Sequence, residues 1–405
     1  MTTFSTDATH GPQQTRWLIV VATTLTGIVA AMQVGKVPPA LPIIRAELDL
    51  SLVMAGWVTS MITLVGAVSG IGFGILTERI GGRTMVFFGL TCLAIGSALG
   101  ASASGVALLL ASRALEGMGY VTIVVGGAPL ITAVTASRHT RTALGAWSGY
   151  YPVGISLMIA LSALFLANDD WRGLWAANVV AIALIAVIFG IATARHSGPL
   201  SRPAVPRAAR EILKAIARPG AWVLGASLAI AGANILAVIT WLPTFFVEAL
   251  GRSTITAALL TALVFSLMGF GNVAGGWLIQ RNLPRWRVLV VGNLVVGTLP
   301  LLIFEPTTPD ALRLLLAFVF AFSSGIVPGA SMSAIPLHAP TPRDIGIVAG
   351  VLLQGSQFGF LIGPPALAAA VIGFGGWQRG VWLLTALGIV NVVLALVLRR
   401  IERSL

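Results

Sequence analysis

Charge is scarce in this chain of 405 residues: Asp, Glu, Lys and Arg make up 9% of it, where a soluble domain carries roughly 25%. Acids are rarer still, 13 against 25 basic residues. The single cysteine, Cys92, lies inside an apolar run, which excludes a disulfide framework and a thiolate metal site. The four histidines, His10, His139, His196 and His338, fall in polar connections or at their edges. No paired-acid, His-Cys or nucleophile–base constellation lies within the apolar stretches, so the chain does not read as an enzyme and asks for no cofactor or metal. The first fifteen residues are polar and carry no cleavable-signal pattern.

What is abundant is apolar surface. Hydrophobic residues fill 57% of positions, more than a water-soluble fold can cover with polar groups, so lipid must solvate the chain. Apolar runs read as 17–43, 53–76, 84–103, 106–133, 142–166, 173–193, 221–247, 256–279, 288–304, 311–335, 346–372 and 380–398. Each is long enough to cross about 30 Å of hydrocarbon, some only with tilt. The fold class is therefore an all-α membrane protein of twelve transmembrane helices.

The net charge of +12 forms no continuous patch and does not point to nucleic acid. With the N-terminus inside, 18 of the 25 basic residues fall in cytoplasmic segments and 5, Arg45, Arg172, Arg252, Arg313 and Arg379, in outer loops. By the positive-inside rule both termini are expected in the cytoplasm, and the membrane is expected to be the inner one. The longest polar stretch divides the chain into an N-terminal six-helix half, 1–193, a cytoplasmic linker, 194–220, and a C-terminal six-helix half, 221–405. Within the linker, Arg207 to Arg218 reads either as a short amphipathic helix on the anionic leaflet or as a solvated basic connection.

The halves repeat each other. Gly74-Ile-Leu-Thr-Glu78-Arg79-Ile-Gly81-Gly82-Arg83 aligns with Gly276-Trp-Leu-Ile-Gln280-Arg281-Asn-Leu-Pro-Arg285 at an offset of 202. Arg172-Gly-Leu-Trp175 matches Arg379-Gly-Val-Trp382 at 207, and Leu108-Leu-Leu-Ala111 matches Leu314-Leu-Leu-Ala317 at 206. Duplicated halves are how many secondary transporters build a central site that can face either side.

The segment from Gly74 to Arg83 resembles the loop motif of the major facilitator superfamily, G-x-x-x-D-R-x-G-R-R, with Glu78 for Asp and Gly82 for the first paired arginine. Arg113-Ala-Leu-Glu116-Gly117-Met-Gly119 resembles that family's fourth-helix motif, R-x-x-Q-G-x-G, and Trp241-Leu-Pro243 is also similar to the family pattern. The resemblance implies two pseudo-symmetric six-helix bundles and a cytoplasmic gate network formed by Gly74, Glu78, Arg79, Gly81 and Arg83. The alternative reading is that Arg79 and Arg83 are topology signals alone. Gly35-Lys36-Val-Pro-Pro-Ala-Leu-Pro42 is similar to the cyanate and nitroimidazole porter branch, and Gly149-Tyr-Tyr-Pro152 departs from the G-P-x-x-G-G signature of drug–proton antiporters.

Lys36, Arg113 and Glu116 place charge deep within the apolar runs, and charge at membrane depth faces a cavity or a partner. Lys36 and Gln33 share a face of the first helix; Arg113, Glu116 and Tyr120 share a face of the fourth. The family fold brings these helices, and the fifth with Tyr150 and Tyr151, to a central cavity. Asn234, Gln354 and Gln357 are the neutral groups the C-terminal half offers, with Asn272, Ser323, Ser324 and Ser356 beside them.

Two cations and one carboxylate sum to +1, which suits a small organic or inorganic anion. Lys36 snorkelling to the headgroups and an Arg113–Glu116 structural ion pair are the alternative readings. The expectation is a monomeric secondary transporter for a small anionic solute, working by alternating access and coupled to protons through Glu116 and Arg113. The alternative is a proton-driven exporter of hydrophobic or drug-like compounds.

Overall fold

The structure, a computed structural model, describes residues 14–194, 218–341 and 344–404, and only the backbone of residues 71, 74, 75, 78 and 141. The linker lies almost wholly outside the described residues, and with it nearly all of the stretch from Arg207 to Arg218 that reads either as an amphipathic helix or as a solvated connection. Among the described residues, twelve helical segments are long and apolar enough to cross a membrane. They agree with the sequence expectation span by span, most ends moving by a few residues.

The first span runs on beyond its apolar stretch. The apolar run stops near residue 43, but the helix continues to Leu48, in two pieces, Trp17–Gly35 and Val37–Leu48. Its last turns hold Arg45 and Glu47, whose charge hides their helical state from a hydropathy reading. Pro38, Pro39 and Pro42 follow the break at once, each removing a backbone donor from the ladder. The second span is also interrupted, as Leu52–Ser60, a 3-10 turn at Met61–Thr63, and Leu64–Ile80.

Lipid offers helices no hydrophobic reason to associate, so close approach depends on small residues. The same crossings recur in both halves. In the first, Gly35 meets the Ile155 carbonyl of the fifth span and Gly154 meets that of Ile28. In the second, Gly359 and Gly363 of the eleventh span meet the carbonyls of Ala229 and Ala233 in the seventh. Gly117 presses on Ile62 between the fourth and second spans, as Gly271 presses on Phe322 between the eighth and tenth. Two six-helix bundles related by pseudo-symmetry result, the first span pairing with the fifth as the seventh does with the eleventh.

Contacts between the bundles run from the mouth remote from the chain termini to mid-depth. At that mouth Arg45 pairs with Glu248, and Gly56 of the second span lies against Pro364 and Pro365. Deeper, the Gln354 amide donates to the Ala67 carbonyl at 2.8 Å and Gly66 touches Gln357. Tyr151 stacks on Phe360, ring centroids 6.0 Å apart and planes 12° apart. Nearer the termini, Gly70 and Gly72 of the second span and Gly346 of the eleventh have open space where a Cβ would stand.

Arg313 corrects a second expectation. It is no outer-loop residue but lies in the first turn of the tenth helix, Asp310–Met332, with its side chain only 2% exposed. Its guanidinium donates to the carbonyl of Ile303, the last residue of the ninth helix, and to those of Glu305 and Pro306 in the loop beyond it, at 2.8–3.1 Å. Asp310 pairs with it at 2.8 Å.

The glycine crossings give a direct test. A Cβ on Gly359 would lie 1.8 Å from the Ala229 carbonyl oxygen, whereas one on Gly276 meets nothing within 4 Å. Gly359→Ala should destabilise by about 1–3 kcal/mol or more and Gly276→Ala should be neutral, read as melting temperature in detergent.

Candidate functional site

The broken first span brings Gln33 and Lys36 onto the inward face of the N-terminal bundle. Lys36 lies twelve residues before the helix end at Leu48, roughly 18 Å at 1.5 Å per residue, deeper than a helix ending near 43 implies. Its side chain has no solvent exposure, which removes the snorkelling reading. Gly96 in the third span makes room for the fourth, because a Cβ there would lie 2.7 Å from Glu116 Cγ. Gly100 likewise leaves space for Trp175, 2.3 Å from where its Cβ would be.

Lys36, Arg113 and Glu116 come together as one buried cluster. Glu116 Oε1 accepts from Lys36 Nζ, and Glu116 Oε2 accepts from Arg113 Nη1. Lys36 Nζ also donates to Gln33 Oε1 at 2.7 Å and to Ser97 Oγ at 3.0 Å. All three ammonium protons therefore have acceptors, and the Trp175 ring centroid lies 4.6 Å from Nζ on a further side. The Ser97 hydroxyl is 2.8 Å from Glu116 Oε1, so the carboxylate is held by three donors.

Arg113 Nε donates to the Val58 carbonyl of the second span at 3.3 Å. Its Nη2 is buried and has no hydrogen-bond partner, an expensive condition for a cationic donor. An acceptor at that nitrogen would complete the guanidinium. With Glu116 ionised the three charges sum to +1.

The tyrosines form a second group. Tyr120, on the Glu116 face of the fourth helix, places its hydroxyl 3.4 Å from that of Tyr150. Trp147 backs Tyr150 with centroids 4.8 Å apart and fills the space that Gly27 and Gly127 leave open. Tyr151, Phe360, Gln354 and Gln357 lie where the bundles meet. Gln357 Oε1 is buried without a partner.

Other candidates are not brought in. Asn234 turns to the twelfth span, donating to the Leu384 carbonyl at 3.3 Å. Asn272 lines a separate cavity of about 310 Å³ with Ser148, Trp277, Gln280 and Met332, between the fifth, eighth and tenth spans. In the loop motif, Gly81 adopts φ +86°, open to glycine, and Arg83 lies 5.8 Å over the Phe87 ring. Arg79 is exposed, and the side chain of Glu78 and the surroundings of Gly74 lie outside what is described.

Sequence reasoning missed Ser97, Trp175 and Asn178. Each carried a signal: a serine between the glycines of the third span, a tryptophan in the internal repeat, and a lone amide within the sixth span. None bears charge, and a search led by charge passes them over.

The family comparison agrees with this architecture. Residues 23–364 match the model of the Major Facilitator Superfamily. The chain is 28% identical to "Probable nitrate/nitrite transporter NarK2" of Mycobacterium tuberculosis, over 80% of this chain and 81% of that protein. It is 25% identical to "Probable nitrate/nitrite antiporter NarK1" of Thermus thermophilus over 81% and 79%. A shorter match, 28% identical over 46% of this chain, is to the arabinose-proton symporter of Escherichia coli. The fold superposes on a bacterial homologue of the human lysosomal transporter Spinster in an inward-facing, unoccupied conformation, with TM-score 0.77, 16% identity and 97% of each chain covered. The chain belongs to the major facilitator superfamily.

The cluster's charge balance predicts unequal costs of truncation. Glu116→Ala leaves two buried cations unpaired and should cost about 3–5 kcal/mol. Lys36→Met leaves the Arg113–Glu116 pair intact and should lower the melting temperature less. Equal losses would mean that Lys36 and Arg113 do not share the carboxylate.

Proposed function

We propose that this major facilitator protein is a secondary active transporter carrying a small organic or inorganic anion, together with protons, across the inner membrane by alternating access. The observation that carries the reading is the buried +1 cluster with Arg113 Nη2 unpartnered. Nitrate and nitrite are the first compounds to test, since relatives matched over about four fifths of the chain bear those names.

The geometry supplies a coupling rule. Lys36 is fully occupied and Glu116 holds both cations, so an incoming anion competes with Glu116. Protonating Glu116 raises the cluster from +1 to +2 and weakens its grip on both cations. Proton and anion then each favour the other's binding, and linkage makes the effect reciprocal. Transport in the same direction follows. The excess of basic residues in the segments expected to be cytoplasmic supports cytoplasmic termini; on that reading the bundle contacts lie on the outer side and the state is inward-facing. Residues 1–193 and 221–405 are the two bodies that rock.

The neutral seam of Tyr151, Phe360, Gln354 and Gln357 favours a second reading, export of an apolar compound. Thermal shifts on purified protein separate the two. Stabilisation by nitrate, nitrite or small carboxylates supports the anion, and stabilisation by lipophilic cations supports the exporter. In proteoliposomes, Lys36→Gln should reduce anion uptake at least about tenfold, the loss of roughly 1.4 kcal/mol of attraction. Glu116→Gln should leave uptake indifferent to a pH gradient. Full uptake in Lys36→Gln would sink the anion site, and retained pH coupling in Glu116→Gln would return that carboxyl to a structural role.

A further inference from the structure

The Lys36 ammonium has an acceptor in Gln33 only because that amide points one way. Turned over, Gln33 would present its NH2 to the ammonium, donor against donor, and leave a buried cation short of a partner. The two orientations have nearly the same shape, so packing does not choose between them; hydrogen bonding does.

On its far side, Gln33 Nε2 donates to the Val29 carbonyl at 3.0 Å and to Asn178 Oδ1 at 3.0 Å. Asn178 is itself oriented, because its Nδ2 donates to the Leu174 carbonyl at 2.8 Å. Its side chain is 3% exposed and that of Gln33 is fully buried. A directed chain thus runs from the Leu174 carbonyl through Asn178 and Gln33 to Lys36, crossing from the sixth span to the first. A flipped Gln33 would set its oxygen against both the Val29 and Asn178 oxygens.

We propose that Asn178 is a positioning residue for the charge cluster, acting through Gln33 to keep an acceptor on Lys36 and so to hold the ammonium against Glu116. This rests on the reading of Lys36, Glu116 and Arg113 as the coupling site. Those three are the titratable groups that the first, third, fourth and sixth spans contribute to it among the described residues; Gln33, Ser97, Trp175 and Asn178 carry no titratable group there. Asn178 touches no substrate in this scheme.

The test reads protonation without a substrate. Melting temperature of the purified full-length protein is followed from about pH 4 to about pH 10, a window that covers free carboxyl and reaches toward amine titration. The inflection that Glu116→Gln removes belongs to the cluster. Asn178→Leu and Gln33→Leu should each move it to higher pH by about one unit, since an ammonium held less firmly favours the ionised carboxyl less. The double variant should move it no further, because both act in one chain.

A uniformly lower melting temperature with the inflection unmoved would make Asn178 a packing residue and overturn the proposal. Additive shifts in the double variant, or no inflection that depends on Glu116, would also overturn it. Nitrate uptake measured in parallel keeps the two ideas apart: wild-type protein that moves no anion while the pH cycle holds removes the transport reading and leaves the positioning role.

Discussion

A carboxylate deep among membrane helices must be paired, and here Glu116 is paired twice. Lys36 reaches it from the first span and Arg113 from its own helix, while Ser97 adds a third donor from the third span. Much of the N-terminal bundle is arranged to permit this. Gly96 clears the space that Glu116 occupies, Gly100 makes room for Trp175, and the broken first span delivers Lys36 and Gln33 on one face. Removing Glu116 would leave both cations stranded where solvation is poor.

The two halves share a scaffold but not a chemistry. The glycine crossings recur in equivalent places, yet position 243, the counterpart of Lys36 at the 207-residue offset of the repeat, is a proline. Several buried polar groups of the C-terminal bundle serve contacts between helices. Asn391 joins Asn293 and the Ser227 carbonyl at 2.9 and 3.1 Å, and Trp241 donates to the Pro364 carbonyl at 2.9 Å. A moving interface between a charged bundle and a neutral one needs no ion pairs at mid-depth, and the cross-bundle contacts described there are neutral.

Much of this was legible in the sequence. Twelve apolar runs, a registered repeat and the scarcity of charge led to the architecture and to Lys36, Arg113 and Glu116. The residues counted with the loops although their backbones are helical were charged ones: Arg45 and Glu47 at the end of the first span, and Arg313 at the start of the tenth. Arg313 reads as a loop arginine because its value lies in carbonyls at the end of the ninth helix and in the loop beyond it, which no local pattern shows. Ser97, Trp175 and Asn178 were hidden for a related reason. Their importance comes from what four separate helices bring to one point, and a neutral side chain in an apolar run looks like any other packing group.

The charge of the buried cluster bears on how the membrane voltage acts. A unit charge crossing the membrane gains or loses about 2.3 kcal/mol per 100 mV. On the proposed scheme the empty site, with Glu116 ionised, carries +1. Loaded with one proton and one monoanion it carries +1 again. The field therefore acts alike on the loaded and the empty carrier, its work on the outward and return movements cancels, and the cycle is electroneutral. A transporter built this way would respond to acidity outside the cell and to the anion's own gradient, and would be indifferent to the electrical half of the proton-motive force.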